Sequence, residues 1–226
     1  MLALQHTEVQ PLAVLCLGDI VGYGPDPKHC LDAVRASVTH LICGWHDRAA
    51  GNSGLAQAAY TGPDQDGYEL AEATLTHTRL MLSAEDRTYL ASLPPELTVE
   101  IANVRFHLTR LPPDDLTTET RTLITMPQAQ LRERFGHLEA DVILLGGPHV
   151  PAMRQVDHRL IICPGSLGQP RYGVPDPTFA VWHNGQAKIH HLHYEPHVTA
   201  RKLSLLPLAP EHRLRLQTVL QKGSID

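Results

Sequence analysis

Apolar positions along the chain fall into short unbroken runs and helically spaced sets. The first run, Val14, Leu15, Cys16 and Leu17, meets Gly18-Asp19, and Gly22 and Gly24 follow. A short unbroken apolar run predicts a strand covered on both faces. Residues 40–43 repeat the pattern and end in Gly44-Trp45-His46-Asp47. Between the two runs, Asp26-Pro27 reads as an N-cap followed by proline at the first helical position. The helix it opens is expected to reach about residue 37, with Cys30, Leu31 and Val34 inward. Strand, helix and strand together predict a βαβ unit.

Farther along, residues 51–67 read as loop and 68–82 as helix. Ser83 to Asp86 resembles a capping box, with Asp in the usual place of Glu, for a helix to about residue 93. Residues 97–107 alternate in period two about a turn at Ala102-Asn103, and the second arm is expected to end at His107. Residues 111–125 read as loop and 127–135 as a helix with Leu131 and Phe135 inward. Further buried strands at 142–145 and 160–163 run into Gly146-Gly147-Pro148-His149 and Pro164-Gly165-Ser166. Asn184-Gly185 predicts a hairpin joining 179–182 to 188–194. The stretch 208–222 holds a C-terminal helix, centred on 211–221 with Leu214, Leu216 and Leu220 as its apolar positions. Residues 1–11 suit one or two helical turns and are too short for a strand plus the crossover of about a dozen residues into a parallel neighbour.

Composition narrows the picture. The 226 residues are 42% hydrophobic and 19% charged, the balance of one globular domain over 1–226. No stretch approaches the ~18 apolar residues of a membrane span, and residues 1–11 lack the build of a signal peptide. A net charge of −5 gives no electrostatic footprint for nucleic acid. Cys16, Cys30, Cys43 and Cys163 form no CxxC pair and read as reduced core residues of a cytoplasmic protein.

The count of 15 histidines directs attention to a metal or acid-base site. Strand ends carry Asp19, His46, Asp47, His107 and His149, and carboxylate with imidazole is what a transition-metal site takes. Asp19 stands where open α/β sheets build their sites, or else serves as a helix N-cap or turn former. No GxxxxGK[ST], GxSxG, HExxH or GxGxxG sequence is present.

The blocks LGDIVGYGPDP, GWHDRAA, the strand ending in His107, GGPHVP and PGSLGQPRYG resemble, in order, the motifs of the calcineurin-like metallophosphoesterases. The nearest pattern is that of the bacterial phosphodiesterase branch, GDIVGYGPDP, GNHD, HGSP, GHTHxP and NPGSVGQPRDG. The resemblance implies an α/β fold, a four-layer α/β/β/α sandwich with a two-metal site at the strand edges, here lacking the usual first strand. It implies that Asp19 matches the bridging carboxylate, His107 the HG histidine, His149 the second histidine of GHTH, and His46 the group that donates a hydrogen bond or proton at the phosphate. Asp47 matches the last residue of GNHD.

Several family positions are altered. The N-terminal DxH motif is absent, Trp45 stands at the asparagine ligand, and Gly147 stands at the first GHTH histidine. Leu108-Thr109 follows His107 in place of Gly-Ser, Cys163 replaces the later asparagine, and Tyr172 replaces the aspartate after GQPR. Two protein ligands per ion fall short of the three or more of a usual catalytic site. The resemblance so read implies a divergent member whose two-metal centre is largely lost, acting as a binding or regulatory module. The alternative is a phosphoesterase working through one divalent ion, manganese, zinc or iron, on Asp19, His107 and His149. The cofactor is accordingly one transition metal or none. Arg171 meets either a phosphate group or a surface carboxylate, Trp45 packs over the vacated pocket or stacks a ligand, and Gly165-Ser166 supports the site edge. His191 and His193 share a face of the last hairpin, read as a solvated one. The missing strand predicts a homodimer covering the gap, or residues 1–9 reordered into it, or a longer chain that supplies the strand. A phosphate-containing small molecule is the expected ligand.

Overall fold

β1 (Leu15–Cys16) and β2 (His40–Leu41) pair in parallel and are joined by α1 (Pro27–Ser37), the βαβ unit expected. The computed structural model of the chain describes residues 10–52, 65–110 and 125–224. The helical turns expected before Pro11, the fate of residues 1–9, and most of the loops at 51–67 and 111–125 lie outside the described residues. After β2 come α2 (Trp45–Gly51), α3 (Gln65–Met81) and α4 (Ala84–Ser92). Next are β3 (Leu97–Ile101), β4 (Val104–Arg110), α5 (Gln128–Phe135), β5 (Val142–Gly146), β6 (Pro151–Val156) and β7 (Arg159–Pro164). The hairpin β8 (Thr178–His183) and β9 (Gln186–His191) precedes α6 (His197–Ser204) and α7 (Pro210–Lys222). The class is mixed α/β, as expected.

The main sheet is five-stranded in the order β3-β4-β5-β7-β6. Its inner pairs, β4 with β5 and β5 with β7, are parallel, and the outer strands β3 and β6 are antiparallel to their neighbours. Side chains alternate between its faces. Ile143, Leu145, Ile161 and Cys163 face Leu131 and Phe135 of α5. Phe106, Leu108, Val142 and Ile162 face the other way, toward Leu15, Leu17 and Ile42 of the β1–β2 pair and toward Ala180, Trp182 and Ala187 of the β8–β9 hairpin. Beyond β1, Val21 packs with Leu31, Ala49, Ala50, Leu75 and Leu90 of α1 to α4 and with Leu82 between α3 and α4. Leu31, Ile42 and Leu90 are fully buried, and each such side chain contributes about 1.5–3 kcal/mol.

Local signals set several boundaries. Ala102 and Asn103 both have positive φ, as do Asn184 and Gly185, the geometry of tight hairpin turns. In the Ser83 box, the hydroxyl accepts from the Asp86 N–H at 3.0 Å and the Asp86 carboxylate accepts from the Ser83 N–H at 3.1 Å. Three expectations are corrected. The Asp26 side chain does not cap α1 and instead accepts from Lys202 Nζ at 2.7 Å. Cys30 is exposed, because Leu31 sets the inward face of α1 and the preceding residue lies about 100° round the helix. Leu214 is 65% exposed, two positions from buried Leu216 and so on the opposite side of α7.

The far end of α2 is gripped from α3. Arg79 Nη1 donates to the carbonyls of Ala49 (3.3 Å) and Ala50 (2.7 Å). Arg87 of α4 in turn donates to the Arg79 and Leu82 carbonyls at the end of α3. Guanidinium groups thereby meet carbonyls that helix ends leave without partners.

Candidate functional site

The turns after β1 and β2 touch backbone to backbone. A Cβ on Gly18, whose φ is +80°, would stand 2.7 Å from the Gly44 Cα, and one on Gly44 would overlap the Asp19 amide and carboxylate. Only glycine at both places permits the approach. The contact lets one side chain hold both turns. Asp47, fully buried, accepts four backbone N–H groups: Gly44 (2.9 Å) and Asp19 (2.8 Å) on one oxygen, Ile20 (2.9 Å) and Val21 (3.2 Å) on the other.

That clamp presents Asp19. Its φ is +54°, and that of His149 is +59°. Among the described residues, the other non-glycine positions with positive φ lie in the turns at Ala102-Asn103, Asp157 and Asn184, so these two are the ones bent without a hairpin to explain them. Such strain concentrates at functional sites. Asp19 Oδ1 accepts the His46 backbone N–H at 3.0 Å. Its other oxygen, Oδ2, takes Nη2–H of Arg110, whose Nη1 donates to the Leu17 carbonyl at 2.6 Å. The Arg110 side chain is 8% exposed and that of Asp19 is 14% exposed. Burial works to raise the Asp19 carboxyl, but the charges of Arg110, His46 and His149 hold it down at about 2.

The imidazoles are placed differently. His46, at the start of α2, meets Tyr23 edge-on with ring centroids 4.7 Å apart. Burial lowers its pKa, opposed by Asp19 and aided by Arg171 and Arg110. His149 Nδ1 lies 2.8 Å from the Gln169 carbonyl and therefore carries its proton there, leaving Nε2 with a lone pair. Burial and then Arg171 depress His149 to about 3 against the pull of Asp19. The loop after β7 is the support for His149: Arg171 N–H donates to the His149 carbonyl (3.2 Å), and Ser166 Oγ accepts from Gln169 N–H (3.0 Å). Arg171 Nη2 also donates to Gln169 Oε1 at 2.6 Å.

His107 is not brought to this cluster. The sequence reading ends the hairpin arm at His107, but β4 continues to Arg110. In the parallel ladder His107 pairs with Ile143 and Arg110 with Gly146. His107 therefore shares the face packed on α5, while Arg110 shares the face that meets β1. His107 Nδ1 bonds Thr98 Oγ1 at 2.8 Å, and its Nε2 is 3.8 Å from Glu96. The residue of β4 at the site is Arg110, which the sequence reading missed. Trp45 opens α2 with its ring 5.8 Å from the Arg48 guanidinium carbon, and its buried indole N–H has no hydrogen-bond partner among the described residues. Gly147 has a φ of +111° and offers no donor atom.

As a cage for two cations this donor set does not fit. Asp19 spends both oxygens on protein donors, Asp47 likewise, and His149 spends one nitrogen. Among the described residues no group of three or more His, Cys, Asp or Glu side chains is placed to hold a metal ion. No helix among the described residues is long and apolar enough to cross a membrane.

Residues 2–186 match the sequence model of the calcineurin-like phosphoesterase superfamily domain. An uncharacterized protein of Methanocaldococcus jannaschii is 24% identical over 191 residues, 78% of this chain and 73% of that one. In three dimensions the chain is similar to a metallophosphoesterase from Sphaerobacter thermophilus, with a TM-score of 0.72 at 22% identity over 95% of this chain and 91% of that one. It is also similar to a hypothetical protein from Pyrococcus horikoshii, with a TM-score of 0.70 at 20% identity over 98% and 89% of the two chains.

Proposed function

The chain belongs to the calcineurin-like phosphoesterase superfamily, and from that premise we propose that it is a divergent member whose two-metal hydrolytic centre is lost and which works as a binding or regulatory module. Members of the superfamily generally use divalent metals, which clamp a phosphate group and activate water for in-line attack. The observation that carries the proposal is the commitment of Asp19, the carboxylate at the bridging position, to the guanidinium of Arg110. What also supports it is the short supply of other donors: Trp45 and Gly147 stand at two ligand positions, and His107 lies on the opposite face of the sheet. A single-ion phosphoesterase on Asp19, His107 and His149 finds no support in that arrangement.

Elemental analysis of the purified protein, with hydrolysis of bis-p-nitrophenyl phosphate in the presence of manganese, zinc or iron(II), tests the proposal. The expected result is metal well below one ion per chain and hydrolysis at background. Two ions per chain with sustained turnover abolished by Asp19→Ala and His149→Ala overturn it.

A further inference from the structure

A carboxylate taken out of water at the end of a strand needs a partner of opposite charge. In a metal-loaded relative the ions supply it. Here the charge arrives on a side chain. Arg110, the last residue of β4, reaches β1 and bonds both the Leu17 carbonyl and the Asp19 carboxylate. A guanidinium does not lose its proton in a protein, so this cation is permanent. Its path is cleared by the residue beside it in the ladder. A Cβ on Gly146 would lie 3.1 Å from Arg110 Nη1 and 3.0 Å from the Leu17 Cβ, tighter than either neighbour accepts without moving. The berth and its occupant therefore belong together: a glycine on β5 and an arginine on β4, paired in register.

We infer that Arg110 is the resident cation of the site: its guanidinium takes the charge position beside Asp19 that a divalent ion takes in metal-loaded relatives, and so closes that position to metals. The inference rests on the reading of the lost metal centre above and names the residue that enforces it. It has a consequence for the remaining donors. With Arg110 shortened, Asp19 regains a free oxygen, and the neutral His149 ring keeps the lone pair of its Nε2. The site then holds a latent affinity for a divalent ion that the intact protein does not express.

Thermal midpoints of wild type, R110M, R110K, D19N and D19N/R110M, each in EDTA and in millimolar manganese or zinc chloride, test this. Wild type and R110K are expected to melt at the same temperature in all three solutions. R110M should melt lower in EDTA and rise with metal concentration, as binding to the folded state requires. D19N should melt lower without recovery by metal, because it strands a buried guanidinium. D19N/R110M should melt above D19N, since the stranded charge has been removed. Should R110M fail to fold, the comparison of D19N with D19N/R110M carries the test alone. A double variant melting below D19N, or R110M no more responsive to metal than wild type, overturns the inference and leaves a metal-free wild type standing. Stoichiometric metal in wild type overturns the reading beneath it instead.

Discussion

Asp47 does more than its sequence position announces. As the third residue of α2 it takes part in a local cap, accepting from the Gly44 N–H at 2.9 Å. Three of its four N–H partners, however, are 26 to 28 residues away on the turn after β1. Removing the carboxylate leaves four backbone donors, two of them buried and two half-buried, without that acceptor, each a substantial penalty. Asp47→Ala is therefore expected to cost about 3–5 kcal/mol, read as a fall in the urea midpoint, and an unchanged midpoint would contradict the clamp. Arg110 was illegible for a related reason. The pattern along β4 alternates through Phe106 and Leu108, and the polar Thr109-Arg110 at its end looks like the start of a loop. Strand residues advance about 3.3 Å each, so closing the arm at His107 misplaced the sheet edge by roughly 10 Å.

Elements with a local signature were the legible ones. The capping box of α4, the proline opening α1 and the two turns with positive φ each depend on a few neighbouring residues and need no tertiary context. Ser83→Ala should cost about 1 kcal/mol, measurable by denaturant unfolding, with no effect at the remote Asp19 cluster. Elements defined by partners were missed. β6 carries a proline and alternates weakly, and its pairing with β7 makes it a strand. α6 buries only Ala200 and Leu203, too few positions to declare a helical period. The first turn of α2 carries the site, so its polar residues look in sequence like a strand edge.

For the whole molecule the buried imidazoles set the response to acid. Burial, the leading cause in each case, holds His46, His107 and His149 below their ordinary 6.5, the last at about 3. The unfolded chain therefore takes up these protons first as pH falls below 6.5, and stability is lost with them. Below the ordinary 3.8 of aspartate, Asp19, held at about 2, adds to the loss. Asp47 works the other way, since burial and the neighbouring Asp19 charge raise it to about 6 and its folded form gains a proton between there and 3.8. Three imidazoles against one carboxyl leave a net decline. Thermal melts should show the midpoint dropping between pH 7 and about pH 4, and a midpoint that climbs over that range would refute the assignment.

The grip of Arg79 on the last carbonyls of α2 couples distant chemistry to helical architecture. That helix is two turns long, with the Asp19 cluster at one end and the guanidinium of α3 at the other. Loosening the anchor would remove no side chain from the cluster and yet tilt the lever that delivers the His46 ring. Substitutions deep among the helices should thus register at the site as misaim and not as amputation.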